Sequence, residues 1–231
     1  MVLHNRSILL VLVIAVLLCS NVVYSERYVI SGKSVLDGWL SVNTQESSYT
    51  DKLIKCDGNA YDTYYKGLLK FNLTTVKASK FARVRKAVLR LNVTGVTNPK
   101  EIPTLIAALD TAWTPKATPE TSNGKDKWPI KEGYPNIMYA AIPYCGVSQV
   151  ISKTGSVDFD VTGIVDRWLY QGLANNGFVI STGGPVFGKP DIGTWKLSFA
   201  SSESELKGPQ LIVDMEGSAP LPGSAETTAL R

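Results

Sequence analysis

Val157-Asp158-Phe159-Asp160-Val161-Thr162-Gly163-Ile164-Val165-Asp166-Arg167-Trp168-Leu169 is the stretch that decides the fold. Its first half alternates. Val157, Phe159 and Val161 point one way, and Asp158, Asp160 and Thr162 point the other. A period of two describes a strand with one buried face. After Thr162 the period lengthens. Ile164, Val165, Trp168 and Leu169 fall on one side of a short helix near 163–171, and Thr162 is its expected N-cap. Gly172 ends the helix. Asn175-Asn176-Gly177 then turns the chain into a new strand, Phe178 to Ser181.

Similar strand signals recur on both sides, with turns between them. Asp37 to Val42 is the first expected strand, and Lys52 to Lys55 a short second one at an edge. Gly67 to Leu73 alternates with Leu69, Phe71 and Leu73 inward. Lys86 to Val93 does the same with Leu89, Leu91 and Val93 inward. Leu105 to Leu109 continues the series, and a turn-rich segment, Thr114 to Tyr134, follows. Lys196 to Phe199 and Leu211 to Met215 complete the set. Many short strands and almost no helix indicate an all-β protein. The expected architecture is a two-sheet antiparallel β-sandwich of jelly-roll type, with the sheets' inner faces forming the core. No internal repeat is visible.

The first 25 residues read as a secretory leader. Arg6 gives a positive start, Ile8 to Leu18 is an apolar run, and Val23-Tyr24-Ser25 is an acceptable cleavage site. The run is short for a membrane-spanning helix. Leu18 stands where a lipoprotein site at Cys19 would want a small residue. The expected layout is a leader at 1–25, one β domain at 26–216 and a disordered tail at 217–231, whose Gly, Ser, Ala and Pro give it linker composition. The expected location is outside the cell, with no membrane association after cleavage.

The 231-residue chain has a single histidine, His4, and it lies in the expected leader. The processed protein would then have none. That excludes Ser-His-Asp and Cys-His nucleophile activation and His-based zinc sites. It argues against an enzyme. Two cysteines remain after cleavage, Cys56 and Cys145. In a secreted chain an even pair suggests a disulfide, with two separately buried thiols as the alternative. A formal net charge of +4 is too small for a nucleic-acid binder without a clustered stripe. It suits an acidic polysaccharide.

The strands also carry a set of short words in a fixed order. They are Asp37-Gly-Trp-Leu40, Gly67-Leu-Leu-Lys-Phe-Asn-Leu73, Ala87-Val-Leu-Arg-Leu-Asn-Val93, Trp113-Thr-Pro115 with the later Trp128, Asp158-Phe-Asp-Val-Thr162 with Trp168, Asn176-Gly-Phe-Val-Ile180, and Ser201-Ser-Glu203 with Pro209 to Val213. In this order, from about residue 35 to 215, the chain resembles the secreted DNRLRE-type domain, also classed as carbohydrate-binding module family 96. The resemblance implies a jelly-roll sandwich and extracellular carbohydrate binding, with alginate as the ligand class. It also implies modules joined to polysaccharide-degrading enzymes. The first strand pair departs from the family pattern, and the cysteine pair is not part of it.

Charge complementarity is the natural physics for an anionic sugar chain, because Lys and bidentate Arg bind carboxylates in a salt-sensitive way. Lys52, Lys55, Lys66, Lys70 and Arg90 are expected to face outward, with Tyr49, Tyr64 and Tyr65 close in sequence. If their strands neighbour each other, they form one basic surface with aromatic platforms. Otherwise they are a solvated face whose lysines discourage edge pairing. Trp39, Trp128 and Tyr134 are candidates for exposed stacking rings, while Trp113, Trp168 and Trp195 are expected in the core. For Asp158 and Asp160 the simplest role lies at the helix start, where one of them, or Thr162, satisfies backbone donors. No EF-hand-like spacing marks a calcium site, and no cofactor or metal is expected. Asn72-Leu-Thr and Asn92-Val-Thr are glycosylation acceptors in a eukaryotic host. Both asparagines should face outward, where glycans would obstruct the basic surface.

The composite expectation is a secreted, non-catalytic module for an acidic polysaccharide. A structural or adhesive extracellular module is the alternative. A polysaccharide lyase working through Tyr and Lys is a more distant third.

Overall fold

A computed structural model describes residues 23–41, 44–58, 65–81, 83–97, 101–131, 134–182 and 194–218. Two six-stranded antiparallel sheets pack face to face, as the alternation predicts. The first sheet is built on the long strand β6 (Arg83–Thr97). Along one side of β6 run β14 (Gln210–Ser218), paired with its first half, and β13 (Lys196–Ala200), paired with its second half. β1 (Val23–Ile30) lies outside β14, and β4 (Leu53–Lys55) lies outside β13. β11 (Gly155–Asp160) flanks the other side of β6. The second sheet runs β10 (Ala141–Ile151), β7 (Ile102–Leu109), β12 (Phe178–Thr182), β5 (Tyr65–Phe71), β2 (Val35–Ser41) and β3 (Ser47–Ser48). A small pair, β8 (Ile130–Lys131) and β9 (Tyr134–Pro135), stands apart.

Alternation places Leu69, Phe71, Leu89, Leu91, Val93 and Phe159 in the core between the sheets, all at most 2% exposed. Helix α1 (Thr162–Tyr170) closes one end of that core. Its Ile164, Val165 and Trp168 are buried, and the Trp168 ring lies 4.8 Å from Phe178. Val161, not Thr162, holds the N-cap position, without a side-chain bond. Thr162 is the first helical residue. Asp160 Oδ1 accepts from its N–H (3.1 Å) and its hydroxyl (2.6 Å). The Thr162 hydroxyl in turn accepts from the Ala87 N–H of β6 (2.9 Å). A carboxylate two residues back is an Asx-type stop for an extended strand, and it leaves Thr162 free to tie the helix to the sheet. These bonds to the charged form hold the Asp160 carboxyl below its ordinary range.

A second core lies on the outer face of the second sheet. Leu40, Leu68, Ala107, Leu109 and Val179 point away from the first sheet and are covered by Trp113, Ala117, Trp128, Ile137 and Ala140 of the turn-rich segment. Trp128 is therefore interior, not a sugar platform: it is 1% exposed and its Nε1–H donates to Thr118 O at 2.7 Å. Trp113 is buried as expected, and its Nε1–H donates to Asn176 O at 2.8 Å. Among the described residues, no helix is long and apolar enough to cross a membrane.

Besides the two-residue strands β3, β8 and β9, two long strands were not anticipated. β1 takes in Val23–Ser25, the residues expected just before cleavage, so the boundary drawn there hid its pattern. β10 is interrupted by an irregularity between Ala141 and Gly146, where Tyr144 has φ +57° and its side chain is fully exposed. A bulge breaks period two. β14 runs two residues into the expected tail, through Gly217 and Ser218. The rest of the tail, and the leader up to residue 22, lie outside the described residues.

No disulfide joins Cys56 and Cys145. Both are buried free thiols. Cys56 lies against Gly67 of β5, and Cys145 belongs to β10. With β7 and β12 between these strands, the sheet spacing separates them by roughly 14 Å. A disulfide allows at most about 7 Å between Cα atoms. Burial pushes the Cys56 thiol up to about 12.

Candidate functional site

The basic set does not assemble into one surface, because it is divided between sheets. Lys52 and Lys55 belong to the β4 edge of the first sheet, Arg90 to β6 within it, and Lys66 and Lys70 to β5 of the second. Lys52 is exposed and pairs with Glu205 at 2.9 Å. Arg90 is held by Asp158 in two bonds of 2.7 Å. Lys66 does not face solvent. It is 6% exposed, on the covered outer face of the second sheet, and its Nζ donates to Ser181 Oγ at 2.7 Å. Lys70 is half-buried and lines a groove at the far end of β5.

The aromatic platforms are also redistributed. Tyr49 stacks on Trp113 at 6.0 Å, and its hydroxyl donates to Ala117 O, so it pins the covering segment. Trp39 is 5% exposed, and its Nε1–H donates to Asp51 Oδ2 at 2.8 Å. Trp168 and Trp195 are core residues as expected. Tyr64 and the Tyr134 side chain lie outside the described residues.

What the fold does bring together is a cleft at the start of β5. Tyr65 begins that strand, Thr97 ends β6, and Thr194, Trp195 and Lys196 lead into β13. With Asp57 these residues line a cavity of about 630 Å³. The cleft is a consequence of pairing. Gly58 and Trp195 exchange backbone bonds (2.8 and 3.2 Å), and the Tyr65 N–H donates to Asp57 O at 3.1 Å. The two sheets are thereby stitched where their strands meet. Below, the Trp195 Nε1–H donates to Thr182 Oγ1 at 2.9 Å, and that hydroxyl donates to Cys56 O at 2.6 Å. The floor is rigid because each polar group on it has a fixed partner.

Two cations flank this cleft. Lys55 Nζ sits 4.2 Å from the Trp39 ring centre and 5.8 Å from that of Tyr65. Trp39 and Tyr65 meet edge to face at 5.2 Å. Lys55 also lies 3.9 Å from Asp51. Lys196 is exposed, and no ion pair among the described residues engages it. Asp57 is the cleft's carboxylate. Burial raises its pKa, while the Leu197 N–H on Oδ1 (3.0 Å) and the charges of Lys196 and Lys55 act against that rise.

Of the six residues expected to bind ligand, the structure therefore gathers Lys55 and Tyr65. It adds Lys196, Thr97 and Thr194, which sequence reading missed. Lys196 was visible as the outward residue opening the Lys196 to Phe199 alternation. Its nearness to Tyr65 depends on pairing between residues far apart in the chain. Asn72 and Asn92 both lie away from the cleft, so glycans on them would not cover it. Asn72 is at the opposite end of β5 from Tyr65, roughly 23 Å along the strand. Among the described residues no cluster of three or more His, Cys, Asp or Glu could hold a metal ion. No family model matches this chain, and no curated protein matches it.

Proposed function

We propose that this chain is a secreted, non-catalytic carbohydrate-binding module that holds an acidic polysaccharide in the Tyr65 cleft. The observation that carries this reading is the combination of one half-exposed aromatic ring, two threonines and Lys196 in one cavity, with Lys55 beside the ring. A tyrosine face stacks on the apolar face of a pyranose ring, and lysines attract uronate carboxylates. Thr97 and Thr194 would exchange hydrogen bonds with ring hydroxyls. The resemblance to the DNRLRE-type domain supports the same ligand class, alginate among its members, and the two-sheet fold agrees with it.

Binding without catalysis is the better reading of this chemistry. Asp57 is the only carboxylate among the described lining residues, and its Oδ1 is already occupied by a backbone donor. Acid–base cleavage of a glycosidic bond uses a pair of carboxyl groups. The test is affinity electrophoresis through gels containing alginate, another uronate polymer or a neutral glucan. Retention by the acidic polymers should weaken with salt. Free migration through every acidic gel at low salt would remove the proposal.

A further inference from the structure

The groove at the far end of β5 has a volume of about 670 Å³ and is walled by Lys33, Lys70, Asn72 and Asn175 over Leu36 and Leu73. Three observations single out Asn72 on its rim. It is exposed, just past the last residue of β5. Its Oδ1 accepts from the Thr74 N–H at 3.0 Å, an Asx turn that brings the threonine of its Asn-Leu-Thr triplet back beside the amide. Its Nδ2 donates no hydrogen bond among the described residues. Asn175 stands beside it on the groove's wall. Asn175 Nδ2 donates to Phe71 O at 2.8 Å, whereas Asn175 Oδ1 is buried without a partner.

Asn92 differs in its exposure and in the setting of its triplet's threonine. It is half-buried in the middle of β6, with β11 on one side, opposite Ser156. It lines a smaller cavity, about 330 Å³, closed in by Lys207 and Gln210. The hydroxyl of its triplet's threonine, Thr94, is engaged by Ser198, with Oγ1 2.9 Å from Ser198 Oγ. A sugar there would displace the 206–210 segment.

We propose that Asn72, and not Asn92, carries an N-linked glycan, and that the glycan's first N-acetylhexosamine lies in the groove over Leu36 and Leu73. The expected leader would bring the chain to the compartment where the donor, a lipid pyrophosphate-linked oligosaccharide, is found. In the transfer Asn72 Nδ2 attacks the anomeric carbon of the first sugar. The N–C bond forms, the C–O bond to pyrophosphate breaks, one amide proton is released and the lipid pyrophosphate leaves. This proposal is independent of the Tyr65 cleft, since its readout is mass and not ligand retention.

The full chain is expressed in a eukaryotic secretory host, and its intact mass and glycopeptides are measured before and after peptide-N-glycosidase. One glycan, on Asn72, is expected. Asn72→Gln and Thr74→Ala should each remove it, and Asn92→Gln should leave it in place. Production of unglycosylated chain in bacteria, with its circular dichroism, controls for folding. A secreted protein without glycan, or one whose glycan survives in Asn72→Gln, overturns the assignment. The seating is tested by trimming to a single N-acetylglucosamine. Its Tm should exceed that of the sugar-free Asn72→Gln chain by a few degrees. Equal Tm values with and without the sugar would overturn the groove contact.

Discussion

Arg90 on β6 and Asp158 on β11 stand directly opposite each other in the ladder, joined by two parallel hydrogen bonds of 2.7 Å. The pair explains why a basic residue expected on a ligand-binding wall is not available there. Its guanidinium fork is already matched to a carboxylate. Arg90→Ala should leave retention by acidic polysaccharides unchanged. It should cost about 0.5–1 kcal/mol by urea unfolding at pH 7, since both side chains are nearly half exposed. Asp158→Asn should cost a similar amount, and the double variant no more than either single one. The guanidinium holds the Asp158 carboxyl below its ordinary range. The pair's contribution is thus fully present above that range and is lost as the pH falls through the lowered folded value.

Lys196→Ala should weaken polysaccharide retention several-fold and flatten its salt dependence, while Lys52→Ala and Lys70→Ala should not. Lys196 is exposed and unpaired among the described residues, so its removal leaves the fold intact. Tyr65→Ala should weaken retention more, by roughly 1–2 kcal/mol, but it also removes the ring against Trp39. Tyr65→Phe keeps the ring for both contacts and should retain binding and fold alike. Equal retention for wild type and Lys196→Ala would move the binding site elsewhere.

Much of the fold was legible because inward and outward positions alternate along β5, β6 and β11, and because the period changes once, at Thr162. The covered outer face of the second sheet was not read, although a signal was present. Leu68-Leu69 and Phe178-Val179-Ile180 are continuous apolar runs, the mark of a strand buried on both faces. Taken that way, they would have predicted a cover over Leu68 and Val179, and so the burial of Lys66 and Trp128. What supplies the cover is a turn-rich segment without periodicity of its own. The cleft was only half legible for a related reason. Lys55 and Tyr65 are close in sequence, whereas Thr97 and Lys196 reach them through long-range pairing.

Asp37 should make the protein less stable as the pH rises from about 4 to 6. It is 2% exposed, its Oδ2 accepts from the Ser202 N–H at 2.7 Å, and its Oδ1 has no partner. Burial, aided by the nearby Glu203, raises its pKa to about 6. Between its ordinary value and about 6 the folded state binds more protons than the unfolded state, so stability declines through that window. Asp37→Asn should be more stable than wild type at pH 7–8, by about 1–3 kcal/mol. The advantage should disappear near pH 4. An unchanged difference between the two proteins from pH 4 to 8 would contradict this.

Gly177→Ala should be severely destabilising. Gly177 has φ +83°, and a Cβ there would collide with the Leu69 carbonyl oxygen. The backbones of β5 and the turn before β12 touch at this point. Strain and overpacking together should exceed about 3 kcal/mol, read as a Tm fall well over ten degrees or loss of soluble protein. Gly163→Ala, where a Cβ meets open space, is the control and should change little.

Protein lacking the leader should expose two titratable thiols in denaturant without reductant and none when native. Its mobility should be the same with and without reductant. Cys56, just past β4 of the first sheet, and Cys145, on β10 at the edge of the second, are each buried in the core between the sheets. Zero thiols in denaturant would mean a bridge between them.

All five residues of β12 are buried; it pairs on one side with β5 and on the other with β7, and packed side chains lie above and below it. Deuterium can reach its amides only when the whole molecule comes apart, whereas β1 and β4, at the rims of the other sheet, can fray singly. The slowest-exchanging amides in this protein should therefore belong to a strand of only five residues, and their exchange rate should report the free energy of global unfolding.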